Sequence, residues 1–180
     1  MNCMGKITKS TLISIDGLVK IKLNGGIMPT KGSSHAAAYD VYMPENVELR
    51  YGRQVIDLMF QIELPHGYAA IIQPRSGFSC KGMMVQAMVK SFWLAVLGFF
   101  SREQRVDADV LIGLVDEDYR GSVGVIVKSN YKSWLRRAII PAGTRIAQMR
   151  IVKIPTIQMI GTESLDMESD RGGGFGHTGV

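Results

Sequence analysis

The sequence predicts an all-β fold, a sandwich or barrel of short strands, and three observations carry that expectation. Short runs alternate apolar and polar residues with the period of a half-buried strand. Turn-forming residues separate those runs at close intervals, as hairpin-connected strands require. Glycine is also abundant, 20 in 180 residues, and falls mostly in the turns and at the C-terminus.

Residues 1–18 contain no motif and read as an N-terminal extension to a domain over 19–180. The run V-K-I-K-L at 19–23 alternates and predicts a first strand. Gly25-Gly26 turns the chain, and Gly32-Ser33-Ser34 precedes a strand within 36–43. Further strands are expected at 54–62, 68–73, 123–128, 138–140, 146–154 and 156–160. Pro65-His66-Gly67, Ser129-Asn130 and Pro141-Ala142-Gly143 supply turns between them. One stretch, 83–100, is long and apolar. Val85, Met88, Phe92, Ala95, Val96 and Phe99 recur there at helical spacing and predict a helix.

Composition bounds the function. Hydrophobic residues make up 46% and charged residues 21%, ordinary for a globular domain of this length. Two cysteines, Cys3 and Cys80, form no framework; with no secretion signal, reduced thiols and a cytoplasmic location are expected (host cytoplasm or nucleus for a viral chain). The net charge of +5 suits anionic partners. Lys20, Lys22, Arg102, Arg105, Lys132, Arg136 and Arg137 are scattered, without zinc-ligand or helix-turn-helix spacing, so no nucleic-acid partner is expected. Lys90 near the middle of 83–100 would cost about 2.5–3.5 kcal/mol in a bilayer, against a membrane span.

Five segments carry chemistry. In P-R-S-G at 74–77, Arg75 offers a fork of donors for phosphate oxygens and Ser76 a hydroxyl. Gly77 lets a backbone amide approach an anion. Alone, this tetrapeptide reads as a surface turn, and no P-loop pattern accompanies it. The segment G-L-V-D-E-D-Y-R-G at 113–121 clusters acids; Asp116 and Asp118 would share one face of an extended strand, with Glu117 on the other. In isolation such a cluster reads as a solvated turn or cation loop. The segments at 36–43 (A-A-A-Y-D-V-Y-M), 142–149 (A-G-T-R-I-A-Q-M) and 171–179 (R-G-G-G-F-G-H-T-G) complete the set. The last, taken alone, is a flexible glycine-rich tail.

Together and in this order, the five segments resemble the motifs of the trimeric dUTPase family, from about Val19 to the C-terminus. The resemblance implies a dUTPase-like β-barrel or jelly roll, and a homotrimer with shared sites. It implies hydrolysis of dUTP to dUMP and pyrophosphate by water attack on the α-phosphate, supplying dUMP for thymidylate synthesis and keeping uracil out of DNA. By the same resemblance, Asp116 activates the water. Arg75, Ser76, Gly77 and Gln148 bind phosphates, and Tyr119 lies under the deoxyribose, where it excludes a 2′-hydroxyl. Leu114, Val115 and Gly124 are further substrate contacts. Arg145, Ile146 and Ala147 are expected to be structural. Asp40 would stand beside a Mg²⁺ held mainly by substrate phosphates, touching it through water. A C-terminal arm at 171–180 would close over the substrate: Arg171 on the γ-phosphate, Phe175 over uracil, Gly176, His177 and Thr178 on the phosphates.

The chain departs from the family pattern in two places. Residues 83–108 form an insertion, read as a helix packed into the trimer or docking an unknown partner. Val110 also falls where the family's uracil-reading asparagine is expected, with Asp109 or Gln86 as possible substitutes. Two rival functions share the fold: a dCTP deaminase-like enzyme, and a partner-binding regulator built on the dUTPase scaffold.

Overall fold

In a computed structural model of the chain, residues 17–91, 93, 96 and 101–165 are described. The 171–180 arm, with Arg171, Phe175, Gly176, His177 and Thr178, lies outside them, as does nearly all of the N-terminal extension. The described residues form an all-β jelly-roll barrel of three antiparallel sheets. The first sheet orders β1 (Lys20–Leu23), β5 (Gly52–Glu63), β11 (Ser122–Ser129) and β9 (Ala108–Leu111). The second orders β10 (Gly113–Val115), β6 (Tyr68–Gln73), β13 (Arg145–Lys153), β3 (Tyr39–Tyr42) and β2 (Thr30–Lys31). The third orders β4 (Val47–Leu49), β12 (Arg136–Ile140), β7 (Met83–Val89) and β8 (Arg102–Val106).

Alternation drives the packing. Along β5, Ile56, Leu58, Phe60 and Ile62 point inward and are almost wholly buried. Burial of each such side chain contributes about 1.5–3 kcal/mol. Val123, Val125 and Val127 of β11 meet them, and Ile72, Ile146 and Met149 close the core from the second sheet. Met83, Val85 and Ile140 add the third sheet's inner face, so all three sheets share one core.

The strands expected at 19–23, 54–62, 68–73, 123–128, 138–140 and 146–154 all form, with ends shifted by no more than two residues. The strand expected at 36–43 forms over Tyr39–Tyr42. Two expectations fail. The helix read over 83–100 begins instead as strand β7, paired with β12 on one side and β8 on the other. Met83, Val85 and Ala87 are buried while Met84, Gln86 and Met88 face outward, a period of two. Methionine sits on both faces, which hides the polar half of the alternation. Helical backbone occurs only further on, at Trp93 and Val96 among the described residues. The strand expected at 156–160 does not form. That stretch pairs with no strand among the described residues, and Ile157, Met159 and Ile160 lie exposed. No helix among the described residues is long and apolar enough to cross a membrane.

Candidate active site

Asp40 is the hub of the first group of site residues. Its register partner in β13 is Gln148, and Gln148 in turn stands opposite Gln73 of β6. Direct partners on neighbouring strands share a face, so these side chains form a row across the sheet. A bulge then recruits Arg145. The β13–β3 register shifts between Arg145 and Ala147, leaving Ile146 as the extra residue. Ile146 and Ala147 both turn inward, which puts Arg145 and Gln148, three residues apart, on the outer face together. Gln148 Nε2 donates to Asp40 Oδ1 at 3.4 Å, and an Arg145 guanidinium nitrogen donates to Oδ2 at 3.4 Å. Arg145, read from the sequence as structural, is therefore part of the cluster. Only the bulge, invisible in the residue pattern, brings it there.

Arg75 arrives from the loop after β6. Its Nε donates to Asp40 Oδ1 at 3.0 Å, in an ion pair whose carboxylate is nearly buried. The following residues, Ser76–Lys81, form a short helix α1, held by Phe78, which reaches the core. The residue pattern alone predicts only a turn there. Ser76 and Gly77 in its first turn are exposed, and a Cβ at Gly77 would touch no neighbouring group. Packing therefore does not require glycine at that position.

Asp116 belongs to a second group. It follows β10 at the rim of a cavity of about 310 Å³ whose wall includes Leu114, Val115, Tyr119, Ser122 and Gly124. That volume suits a small ligand. The D-E-D run is a turn, not the extended strand expected: the Tyr119 amide donates to the Asp116 carbonyl at 3.2 Å. Arg120 braces the turn by donating to the carbonyls of Glu117 and Tyr119. Glu117 does point away from Asp116. Its carboxylate accepts from the Gly67 amide at 2.5 Å and lies 2.9 Å from His66 Nδ1. The Gly67 amide chiefly, and then His66, holds the Glu117 carboxyl below the usual glutamate range.

Tyr119 is fixed by its own motif. The hydroxyl donates to the Ser122 carbonyl at 3.0 Å, and the ring folds back against Gly121. A Cβ at Gly121 would stand 2.6 Å from Tyr119 Cζ, so any larger residue there would push the ring aside. Opposite, Ser122 donates a short hydrogen bond to Asp57, which also accepts the Met59 amide at 2.8 Å. Met59 has φ 55°, and Asp57 thereby staples a bulge in β5 at the cavity's edge. Neither Gly121 nor Asp57 is singled out by the sequence.

Val110 does not belong to the cavity. It is buried in β9, opposite Val127 of β11, with its side chain in the core. Asp109 and Gln86 do not line the cavity either, so neither stands in for an asparagine there.

Within one chain the two groups do not meet. Val115, just before Asp116, pairs with Ala70 of β6, whereas Gln148 pairs with Gln73 towards the other end. Three residues of strand, about 10 Å, separate Ala70 from Gln73, and Asp116 lies beyond Val115 in the turn. Among the described residues no three His, Cys, Asp or Glu side chains gather to cage a metal ion. Asp40 offers a single carboxylate whose oxygens already accept three side-chain donors. That donor set fits a hard cation carried in by phosphate oxygens and touched through water, not a protein-held one.

The dUTPase family model matches residues 24–99 and 101–179. The deoxyuridine 5′-triphosphate nucleotidohydrolase of Yarrowia lipolytica is 33% identical over 156 residues, 84% of this chain and 82% of that protein. Its counterpart in Paramecium bursaria Chlorella virus 1 is 32% identical over 164 residues, 91% of this chain and 97% of that protein. Among solved structures, the dUTPase of Staphylococcus bacteriophage 80alpha with dUPNHPP superposes at a TM-score of 0.67 and 23% identity, covering 91% of this chain and 99% of that one. A mutant dUTPase of the Staphylococcus aureus phage phi11, described with a structural Mg(II) ion, superposes at 0.63 and 21% identity over 82% of this chain and 98% of that one.

Proposed function

Because the chain belongs to the dUTPase family and hydrolyses dUTP to dUMP, we propose that Asp116 takes the proton from the attacking water and that Asp40, Arg75 and Gln148 hold the triphosphate. The water oxygen bonds to the α-phosphorus and its proton passes to the Asp116 carboxylate. The bond from that phosphorus to the bridging oxygen breaks, and pyrophosphate leaves with the electron pair. Arg75 and Gln148 donate to phosphate oxygens, with Asp40 fixing the Arg75 guanidinium from behind. Ser76 and Gly77 stand next to Arg75 to receive the bridging oxygen of the leaving group. Magnesium, when bound with the substrate, neutralises phosphate charge and sets the conformation of the chain of phosphates.

Leu114, Val115 and Gly124 contact the nucleoside, and Tyr119 closes the space a 2′-hydroxyl would need. Arg171, Phe175, Gly176, His177 and Thr178 close over the bound substrate from the C-terminal arm. The tie of Glu117 to Gly67 and His66 keeps it off the pyrimidine ring, which disfavours a deaminase.

The observation that carries the assembly is the separation of Asp116 from the Asp40 cluster along β6. That separation supports a site in which Asp116 of one copy meets Arg75 of another, as in a homotrimer with shared sites. The exposed apolar side chains after β13, Ile157, Met159 and Ile160, support contact with a second copy. Mixed assembly tests the sharing. Asp116→Asn and Arg75→Ala homo-oligomers should each be inactive, whereas co-refolded mixtures should regain dUTP turnover. Mixtures as inactive as their parents would place the whole site within one chain.

A further inference from the structure

We infer that a basic, aromatic cavity at the open end of the third sheet binds single-stranded nucleic acid. The cavity, about 520 Å³, shares no lining residue with the Asp116 cavity or the Asp40 cluster. Five cations line it, Arg50, Lys90, Lys132, Arg136 and Arg137, against one carboxylate, Glu48. Lys132, Arg136 and Arg137 are neighbours in the sequence, and the fold brings Arg50 from the end of β4 and Lys90 from the end of β7 up to them at the start of β12.

The described residues leave these cations without carboxylate partners. Arg136 Nε is buried with no hydrogen-bond partner. That nitrogen is closed to solvent, but the guanidinium as a group suits phosphate oxygens and Arg136 lines the cavity. Lys90 spends its charge on shape. Its Nζ donates to the Ser133 carbonyl at 2.8 Å and its amide to the Leu135 carbonyl at 2.9 Å, pinning the loop that carries Lys132 and Trp134.

Aromatic surface makes the site more than an anion hole. Trp134 is 83% exposed on that loop and Tyr51 is 60% exposed across from it, with Lys132 Nζ 3.9 Å from the Tyr51 ring centre. Cations that track a backbone beside exposed rings that stack bases are the chemistry of single-strand binding. The volume exceeds what one phosphate fills and matches a nucleotide unit. Duplex would hide the base faces from Trp134.

The full chain, its active site filled with a non-hydrolysable dUTP analogue, is titrated against a fluorescent oligothymidylate of about 15 nucleotides, read by anisotropy. Saturable binding is expected. Trp134→Ala and Arg50→Gln, both on exposed positions, should each weaken it about tenfold, and Arg50→Gln should lower the salt slope by about one. Arg136→Gln should do the same where it folds. Duplex of equal length, poly-glutamate and dUMP should compete at least about tenfold more weakly. Turnover of dUTP by the variants should be unchanged. Absence of saturable binding would overturn the inference. So would Trp134→Ala and Arg50→Gln chains that bind like wild type, which would mean adsorption on general surface charge. Equal competition by poly-glutamate or duplex would assign the cavity to polyanions or acidic proteins instead, and equal competition by dUMP to free nucleotides.

Discussion

Arg75 Nε meets Asp40 Oδ1 at 3.0 Å, and this contact fastens the loop after β6 to a strand that precedes it by 35 residues. Asp40 is nearly buried, and Arg75, Arg145 and Gln148 all donate to its carboxylate. Asp40→Asn keeps the shape but removes the charge that aims Arg75. Misplacement of a positioning group by about 1 Å can cost roughly 10²-fold, and kcat/KM for dUTP should fall on that order. Thermal unfolding should show a loss of about 1–3 kcal/mol. An Asp40→Asn enzyme with unchanged kcat/KM would remove Asp40 from the site.

Gly121→Ala should act on the nucleoside side alone. The new Cβ would press on the Tyr119 ring, which would have to leave its place against the backbone. Steady-state rates with dUTP and UTP are the measurement: kcat/KM for dUTP should drop and the preference over UTP should narrow. A variant that keeps full preference would show that ring placement does not set sugar selectivity.

The insertion depends on Gly82, where β7 leaves α1. Its φ is 73°, and a Cβ would stand 2.6 Å from the Val106 carbonyl oxygen of β8. Gly82→Ala should destabilise the fold by about 1–3 kcal/mol, measured by urea unfolding. The lesion should also loosen α1, since the Gly82 amide donates to the Phe78 carbonyl at 2.9 Å.

Most of the barrel is legible in the sequence because its strands have one wet face. In β5, Ile56, Leu58, Phe60 and Ile62 alternate with Asp57, Gln61 and Glu63, a pattern only a half-buried strand produces. β7 is not legible because Met84 and Met88 occupy its outward face. The 156–160 stretch has strand-forming residues but no partner strand among the described residues. Asp40, Arg75, Asp116 and Gln148 are picked out by resemblance to motifs. That Arg145 joins the Asp40 cluster is not legible, because the bulge at Ile146 changes which side chains share a face. The basic cavity is missed for a different reason: Arg50 and Lys90, distant in sequence, join Lys132, Arg136 and Arg137 only in the fold.

Acid should weaken the fold partly through Glu117. Its carboxyl is held below the ordinary glutamate value by the Gly67 amide first and His66 second. A carboxyl depressed in the folded state adds stability above its unfolded pKa, about 4.3, and loses it as pH falls through the lower folded value. Stability followed by denaturant from about pH 6 to about pH 3 should therefore fall less steeply in Glu117→Gln below about pH 4.3. Parallel curves for the two proteins would show that the contact with Gly67 is not formed in solution.

The central assignment, Asp116 as the group that activates water, is tested most directly by pyrophosphate release from dUTP with Asp116→Asn. The substitution keeps size and position at the cavity rim and removes only the capacity to take a proton. With assembly and dUTP binding intact, kcat should fall by about 10²–10⁴-fold. An Asp116→Asn enzyme that releases pyrophosphate at the wild-type rate would contradict it.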